Sequence, residues 1–307
     1  VAGSSSVAVV GGGLTGLATA FHLLKAGTGR VVVYDGFVDR GVPLPSPVVG
    51  NFYPTASAVA AGLLHPLTPK LKVAWAGDDA MAKAGELLTE AATYDNKVVT
   101  TRTVYRPARD ADDAASARDL ARLSPERLRW LDPRDFLPFG GVQIVDGCVV
   151  DVNRYLVALW EACRSRGDAT WRFEDVDDLK KTLLLRDDHD RVVFCGGARG
   201  IDHATKRMRP KLRLTRGQSA LLLRRRRRRR DGGPSGFGSD EGREEEVVAL
   251  LRGDYVAPLA DDGRLVLGAT REHLDTYSET PPDDVDDLLR RGKLAGAVDA
   301  LGLRDDL

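Results

Sequence analysis

The stretch VAVVGGGLTGLATAFHLLKAG, residues 7–27, decides the fold of this chain. Its first four apolar residues predict a buried parallel strand, and the apolar positions from 14 to 24 recur at helical spacing. Gly11, Gly13 and Gly16 lie between them in G-x-G-x-x-G order. In that order the glycines permit a tight turn, a close approach of backbone to pyrophosphate, and close packing of helix on sheet. The pyrophosphate would lie at the helix N-terminus, where free N–H groups and the helix dipole favour an anion.

The next predicted strand strengthens this interpretation. RVVVY at 30–34 is followed by Asp35, which lies 19 positions after Gly16. At about this distance an acidic residue meets the ribose hydroxyls of a dinucleotide. The pattern therefore predicts a dinucleotide site, and the alternative is a glycine-rich loop of an α/β fold that binds nothing. The motif alone does not separate NAD from FAD.

Composition limits the other classes of function. Among 307 residues, 45 basic and 45 acidic side chains cancel, so net charge gives no argument for a nucleic acid, a membrane or a polyanionic substrate. No apolar run is long enough for a transmembrane helix. The three cysteines are widely spaced and the five histidines lack metal-binding spacings, so we expect a reducing intracellular compartment, cytoplasm or organelle, and no metal. The chain begins at Val1 without a methionine, and we expect its N-terminus to be incomplete.

The rest of the chain predicts a mixture of helices and strands. Helices are predicted over 78–95, 111–131, 153–166 and from 283 onward, and strands over 171–173, 182–185, 191–194, 212–223, 246–251 and on both sides of a turn within 253–270. Asp146-Gly147, between two apolar runs, predicts a hairpin. Small residues at 56–64 would let backbone N–H groups reach a flat ligand, although they also fit the start of a tightly packed helix.

A run of seven arginines at 224–230 allows two interpretations. One is a patch for nucleic acid or nuclear import. The other, which we favour, is a low-complexity loop at 224–246 inserted between two strands of one antiparallel sheet. A Gly/Ser-rich stretch separates the arginines from an acidic cluster at 244–246, so the two ends can neutralise each other.

Four stretches together resemble the FAD-dependent oxidoreductases of the D-amino acid oxidase type. They are the opening motif with VVVYD, then ASAVAAGLLHP, then VVFCGGA, and finally RGQSALL with YVAPLADDGRLVLGATREH, which is the most specific. This family includes glycine oxidase, sarcosine oxidase and the oxidase half of the bifunctional enzyme that modifies the wobble uridine of tRNA. The resemblance implies an α/β fold, in which a Rossmann-like FAD-binding domain is interleaved with an antiparallel-sheet substrate domain.

The resemblance also implies domain boundaries. The FAD-binding domain would comprise 1–75 and 151–205, the substrate domain 76–150 and 206–277, and a C-terminal helix 278–307. Family members continue past this helix into a segment that returns to the flavin and supplies an arginine for the substrate carboxylate. We therefore expect a C-terminal part to be missing here, and this form to bind FAD weakly and to turn over amines poorly.

FAD is the cofactor that the resemblance implies, with contacts carried over position by position. Gly11, Gly13, Leu14, Thr15 and Gly16 would face the pyrophosphate, Asp35 the ribose, Ala60, Ala61, Gly62 and Leu63 the flavin ring, Val176 the adenine through its backbone, and Gly196 and Gly197 the ADP moiety. The family more often has Ala-Gly at the last two positions. His65 and Tyr255 are the candidates for contact with the substrate, although for His65 we favour the alternative of a structural role.

The implied reaction is the oxidation of a small-molecule amine. A hydride would pass from the carbon that bears nitrogen to the flavin, the imine would hydrolyse, and dioxygen would be reduced to hydrogen peroxide. Such a reaction requires no side-chain nucleophile, and we interpret Cys195 as a small buried residue rather than one. Three alternatives stay open: an oxidase of the tRNA wobble-uridine side chain, an NAD-dependent dehydrogenase, and a non-catalytic flavoprotein remnant.

Overall fold

The computed structural model of the protein describes residues 5–36, 55–134, 137–174, 176, 179–198, 214–223, 248–252, 254–259, 263–269 and 272–274. The arginine-rich segment at 224–246 and the helix expected from residue 283 lie outside these residues. Within the described ranges, no helix combines the length and the hydrophobicity needed to cross a bilayer.

Five α-helices and sixteen strands occupy the described residues. The helices are α1 (Leu14–Lys25), α2 (Gly77–Ala92), α3 (Ala111–Leu123), α4 (Val152–Arg166) and α5 (Leu179–Leu184). The first ten strands are β1 (Ser6–Val10), β2 (Arg30–Tyr34), β3 (Leu63–Leu64), β4 (Val99–Thr101), β5 (Val104–Pro107), β6 (Leu128–Leu131), β7 (Gly141–Ile144), β8 (Cys148–Val150), β9 (Asp168–Arg172) and β10 (Arg191–Phe194). The last six are β11 (Leu214–Arg216), β12 (Ser219–Leu223), β13 (Ala249–Leu251), β14 (Tyr255–Pro258), β15 (Arg264–Gly268) and β16 (Glu272–Leu274).

A four-stranded parallel sheet contains the opening motif, with its strands in the order β10-β1-β2-β9. Because side chains alternate along a strand, Val9 and Val33 pack in the cluster formed with α1 and α4, whereas Val10 and Val32 pack on the opposite side. The predicted order of strand, glycine turn, helix and strand is confirmed. The strand predicted at 191–194 is confirmed as well, and it pairs with β1.

The second large sheet has seven strands in the order β12-β15-β14-β13-β5-β7-β6. Its neighbouring strands are antiparallel except for β13 and β5, which run parallel. One face shares a hydrophobic cluster with α3, through Ala117 and Ala121. Two smaller antiparallel sheets, β3-β8-β4 and β11-β16, complete the described part. The fold is therefore α/β, with a Rossmann-like parallel sheet and a mainly antiparallel one, as the resemblance implied.

The helix predicted over 111–131 is too long. Helix α3 ends at Leu123, and the last four residues of the predicted helix form strand β6. Ser124 precedes Pro125, a position at which the α conformation is disfavoured, and its φ of −138° and ψ of 61° are not helical. After the proline, Leu128 is buried and Arg129 is exposed, which is the alternation of a strand.

The hairpin predicted at Asp146-Gly147 is also wrong. These residues do form a turn, but β7 before it pairs with β5 and β6, whereas β8 after it pairs with β3 and β4. The two apolar runs thus enter different sheets. A turn motif reports a local reversal of the chain and carries no information about which strands pair.

Two further strand predictions need correction. Residues 182–185 are helical, and Thr182 and Leu185 are buried while Leu183 and Leu184 are exposed, which is helical spacing. The predicted strand at 212–223 divides into β11 and β12, which belong to different sheets. Strand β12 is not adjacent to β13 but lies three positions away in the same sheet, a separation of about 14 Å.

The other predicted elements that lie within the described residues are confirmed with small shifts. Helices α2 and α4 occupy the predicted 78–95 and 153–166 to within a few residues, and β14 and β15 form the antiparallel pair expected within 253–270. Strand β9 covers 171–172 of the predicted 171–173 but begins earlier, at Asp168.

Candidate functional site

Two glycines of the opening motif are required by the protein's own backbone. Gly11 has a φ of 103°, and a Cβ there would lie 2.5 Å from the carbonyl oxygen of Cys195. A Cβ on Gly16 would lie 1.8 Å from the carbonyl oxygen of Gly11. The Gly11 N–H donates to the Tyr34 carbonyl oxygen at 2.8 Å, which joins the turn to β2. These two positions are therefore explained by the fold alone.

Gly13 is different, because neither its conformation nor the backbone around it requires glycine. Its φ of −77° and ψ of −169° are open to any residue. The nearest atom to a Cβ there would be the hydroxyl oxygen of Ser57, at 2.7 Å, on a side chain that can rotate away. Leu14 and Thr15, which follow at the start of α1, are exposed, and the first turn contains no acidic residue. The missing side chain thus leaves room for the Ser57 hydroxyl beside a helix N-terminus, a position that is suited to an anion.

Ser57 is a further candidate for the site, and no sequence pattern indicates it. Its Oγ accepts a hydrogen bond from the Leu14 N–H at 3.1 Å, so a loop hydroxyl contacts the first N–H group of α1. The two residues are 43 positions apart, and nothing in the local sequence indicates their contact. Only the position of Ser57 within the small-residue run at 56–64 could have suggested it.

Asp35 lies at the carboxyl end of β2, next to the glycine turn. Its Oδ2 accepts a hydrogen bond from the Gly12 N–H at 2.5 Å, and its own N–H donates to the Arg172 carbonyl oxygen at 3.1 Å. The carboxylate is therefore held at the edge of the sheet. It lies close to the space between Gly13, Ser57 and the N-terminus of α1, which we call the cradle. This is where an acidic residue can accept hydrogen bonds from ribose hydroxyls.

The stretch proposed to face the flavin runs between the two large sheets. It begins near Ser57 at α1, and it does not start a helix: turns are followed by the short strand β3. Gly62 has a φ of 69°, and its carbonyl oxygen accepts from the Val150 N–H at 2.9 Å. Ala61 and Leu63 pack in the hydrophobic cluster of the seven-stranded sheet, with Tyr255 at its margin. Ala60 instead packs against the cluster of α1 and α4.

His65 follows β3 directly and is partly buried. Its Nδ1 accepts a hydrogen bond from the Leu67 N–H at 3.3 Å, and burial lowers the pKa of the imidazole. A ring that accepts at Nδ1 carries its proton on Nε2 when neutral. The structure therefore presents His65 as a neutral imidazole with one N–H donor.

Tyr255 lies on β14, and its side chain is half-buried. Its hydroxyl oxygen is 2.8 Å from Ser219 Oγ on β12. Because its ring borders the cluster that contains Ala61 and Leu63, the structure brings this residue to the same region as the end of the 55–64 stretch.

The remaining predicted positions lie at the rim of the parallel sheet. The Val176 side chain is buried in the cluster with Val10 and Tyr34, opposite α1. Gly196 and Gly197 follow β10, and Gly197 has a φ of 62° with open space where a Cβ would lie. Cys195 is half-buried, and burial raises the pKa of its thiol, which disfavours the reactive thiolate. Their contacts with a cofactor stay predictions.

These features fit an extended dinucleotide. The cradle at Gly13 and the N-terminus of α1 would hold a pyrophosphate, Asp35 a ribose, and the 60–63 stretch a flat ring near the seven-stranded sheet. Among the described residues, no three side chains of His, Cys, Asp or Glu come together as a metal site.

Comparisons with known proteins identify the family. The model of the FAD-dependent oxidoreductase family, DAO, matches residues 6–294. Glycine oxidase from Geobacillus kaustophilus superposes with a TM-score of 0.60 at 20% identity, over 93% of this chain and 76% of that chain. Iminodiacetate oxidase from Chelativorans sp. BNC1 gives 0.61 at 19%, over 96% and 78% of the two chains. L-proline dehydrogenase from P. horikoshii gives 0.60 at 13%, over 98% and 78%.

No curated protein sequence matches the chain significantly. The three structures are under 25% identical to this chain, so their likeness shows the fold. The family match covers nearly all of the sequence and agrees with the cradle, the acidic residue and the two sheets described above. The protein therefore belongs to the DAO family of FAD-dependent oxidoreductases, and FAD is its cofactor.

Proposed function

We propose that the protein oxidises the carbon–nitrogen bond of an amino acid or a secondary amine. FAD, when bound, supplies the acceptor for the hydride that leaves the carbon bearing nitrogen, and dioxygen takes up the two electrons as hydrogen peroxide. Water then hydrolyses the imine product to a carbonyl compound and an amine. The names of the similar structures, which include glycine oxidase, iminodiacetate oxidase and L-proline dehydrogenase, support an amino-acid or amine substrate.

The course of residues 55–64 is the observation that carries this proposal. The stretch starts at Ser57, which contacts the N-terminus of α1, and it ends at Leu63, in the cluster bordered by Tyr255. A cofactor that lies along it would have its pyrophosphate at the parallel sheet and its ring system at the seven-stranded sheet. The alternative of an NAD-dependent dehydrogenase does not explain why the 55–64 stretch continues from the parallel sheet to the seven-stranded sheet.

The chain's own residues would act by binding and orientation. Leu14, Thr15 and Ser57 would bind the pyrophosphate beside Gly13, and Asp35 would accept hydrogen bonds from the ribose. His65 offers a neutral N–H group and Tyr255 an O–H group where the substrate would lie. This role of the protein fits a reaction in which the cofactor performs the oxidation.

We also propose that the chain forms two interleaved domains with the boundaries given above. The parallel sheet takes β1 and β2 from the first part of the chain and β9 and β10 from a later part. The seven-stranded sheet takes its strands from between and after them. This distribution supports a discontinuous FAD-binding domain.

A glycine replacement tests the cofactor site. We expect Gly13→Val to remain folded, because the backbone conformation at this position suits valine and the Ser57 side chain can move. We expect the same variant to lose FAD, because the branched side chain fills the cradle. Gly85→Val is the matched control, since Gly85 is a glycine with open space around a Cβ position, distant in sequence from the motif. Flavin absorbance after reconstitution is measured against circular dichroism of the same samples. A folded Gly13→Val protein that retains FAD would refute the placement of the pyrophosphate.

The reaction itself is tested with the reconstituted wild-type protein. Glycine, sarcosine and D-alanine are supplied in turn, with hydrogen peroxide and the carbonyl product measured separately. Formation of the carbonyl product without peroxide, dependent on an added electron acceptor, would keep amine oxidation but reject dioxygen as the acceptor. Reduction of the bound flavin by none of a broad amine panel would reject amine oxidation.

A further inference from the structure

We propose that Ser219 is a positioning residue for Tyr255, and that their two hydroxyl groups act as one hydrogen-bonding unit toward the carboxylate of an amino-acid substrate. This inference rests on the proposed function, because it assumes that Tyr255 borders the substrate. It assigns a role to Ser219 that the sequence patterns do not indicate.

Strand register brings the two residues together. Gly268 on β15 is the pairing partner of Ser219 on β12 and, on its other side, of Tyr255 on β14. The three residues therefore form one row across three neighbouring strands. Strands β12 and β14 lie on either side of β15, so their backbones are about 10 Å apart. The long tyrosine side chain and the short serine side chain together span this distance.

Gly268 allows this arrangement because it has no side chain. A Cβ there would lie 2.3 Å from the Tyr255 hydroxyl oxygen, 2.4 Å from the ring carbon that bears it, and 2.7 Å from Ser219 Oγ. The tyrosine ring thus lies across the glycine instead of standing away from the sheet. Its hydroxyl reaches Ser219 Oγ at 2.8 Å, and the serine is exposed.

The hydrogen-bonding capacity of the pair suits an anion. Each hydroxyl has one O–H donor, and the contact between the two oxygens uses one of these donors. Whichever residue donates inside the pair, one O–H remains to donate outward. A carboxylate oxygen only accepts, and a hydrogen bond to a charged acceptor is stronger than one between neutral groups. Removing Ser219 would leave the Tyr255 hydroxyl without the partner that fixes its direction.

Kinetic and binding measurements on the FAD-loaded protein test this unit. We expect Ser219→Ala to raise KM for an amino acid, sarcosine for example, about tenfold, with kcat changed much less. The KM of the matching amine without a carboxylate, dimethylamine, stays unchanged. Ser219→Thr restores the hydroxyl and the wild-type KM. Adding Ser219→Ala to Tyr255→Phe raises KM no further, because the unit is already broken.

A matched control distinguishes this effect from the general loss of a serine–tyrosine contact. Ser165 on α4 and Tyr94, which lies just after α2, form a similar pair of hydroxyl groups. We expect Ser165→Ala to leave KM and FAD content at their wild-type values.

A second measurement does not depend on turnover. Acetate, as a simple carboxylate, is titrated into the FAD-loaded protein while the flavin spectrum is followed, and we expect its dissociation constant to be about tenfold higher for Ser219→Ala. Equal acetate binding by wild type and Ser219→Ala, or none by wild type, would overturn the role of Ser219. Acetate binding that weakens as expected in a protein that oxidises no amine would retain this role and reject the proposed reaction.

Discussion

Replacement of the buried Asp151 tests how helix α4 is fixed against the 55–64 stretch. Asp151 is the N-cap of α4, and its Oδ1 accepts from the Arg154 N–H at 3.2 Å. Arg154 also forms an ion pair with Asp95, at 2.7 Å. One residue into the helix, the side-chain amide of Asn153 donates to the Ala58 carbonyl oxygen at 3.2 Å. Loss of the cap would therefore loosen both the helix start and its contact with the 55–64 stretch.

The expected change in the free energy of unfolding follows from two opposing effects at Asp151: the cost of burying its carboxylate and the stabilisation that its side chain gives as N-cap. Burial raises the pKa of its carboxyl group, against hydrogen bonds and the charges of Arg264 and Arg154. For an acid with a raised folded pKa, the stabilisation is fully present below the unfolded pKa and is lost as the pH rises through the folded pKa. Asp151→Asn keeps a capping side chain and does not titrate, whereas Asp151→Ala loses the cap, at a cost of about 0.5–2 kcal/mol relative to Asp151→Asn.

We therefore expect the free energy of unfolding of Asp151→Asn, relative to wild type, to increase from acid to neutral pH. Urea denaturation of the three proteins at a series of pH values measures this directly. Asp151→Ala should be less stable than Asp151→Asn at every pH. A difference between Asp151→Asn and wild type that does not change with pH, or that falls as the pH rises, would refute the stated effect of burial.

Three other outcomes are expected. Replacement of residues 224–245 by a ten-residue Gly/Ser linker, long enough for the separation of β12 and β13, leaves the melting temperature and FAD content unchanged, because the free energy of closing a loop depends only weakly on its length. Salt-sensitive RNA binding that is lost in this deletion would instead support the tRNA-modifying alternative. Gly16→Ala fails to fold by circular dichroism, because a Cβ there would lie 1.8 Å from the Gly11 carbonyl oxygen. Cys195→Ala retains peroxide formation in the amine assay, because burial disfavours the thiolate, and loss of turnover with FAD retained would contradict this.

The sequence predicted what depends on neighbouring residues. The opening strand, turn and helix follow from glycine spacing and apolar periodicity within 21 residues, and the structure has them where expected. The hairpin at Asp146-Gly147 failed because strand pairing is decided by packing partners far away in sequence. Ser57 with Leu14 and Ser219 with Tyr255 were missed for the same reason, since 43 and 36 positions separate the partners. A single sequence contains both members of such pairs and no measure of the distance between them.

The opening motif shows why a pattern must be resolved into its separate positions before it indicates a ligand. Gly11 and Gly16 would be needed in a loop that binds nothing, because their missing side chains make room for the protein's own carbonyl oxygens. Gly13 has an ordinary conformation and faces only a movable hydroxyl, so neither backbone strain nor core packing explains it. An anion at the N-terminus of α1 is the explanation that we propose for its missing side chain. A glycine-rich loop that binds nothing and a loop that binds the cofactor therefore differ at one position of the motif, Gly13, and Gly13→Val is the variant that distinguishes them.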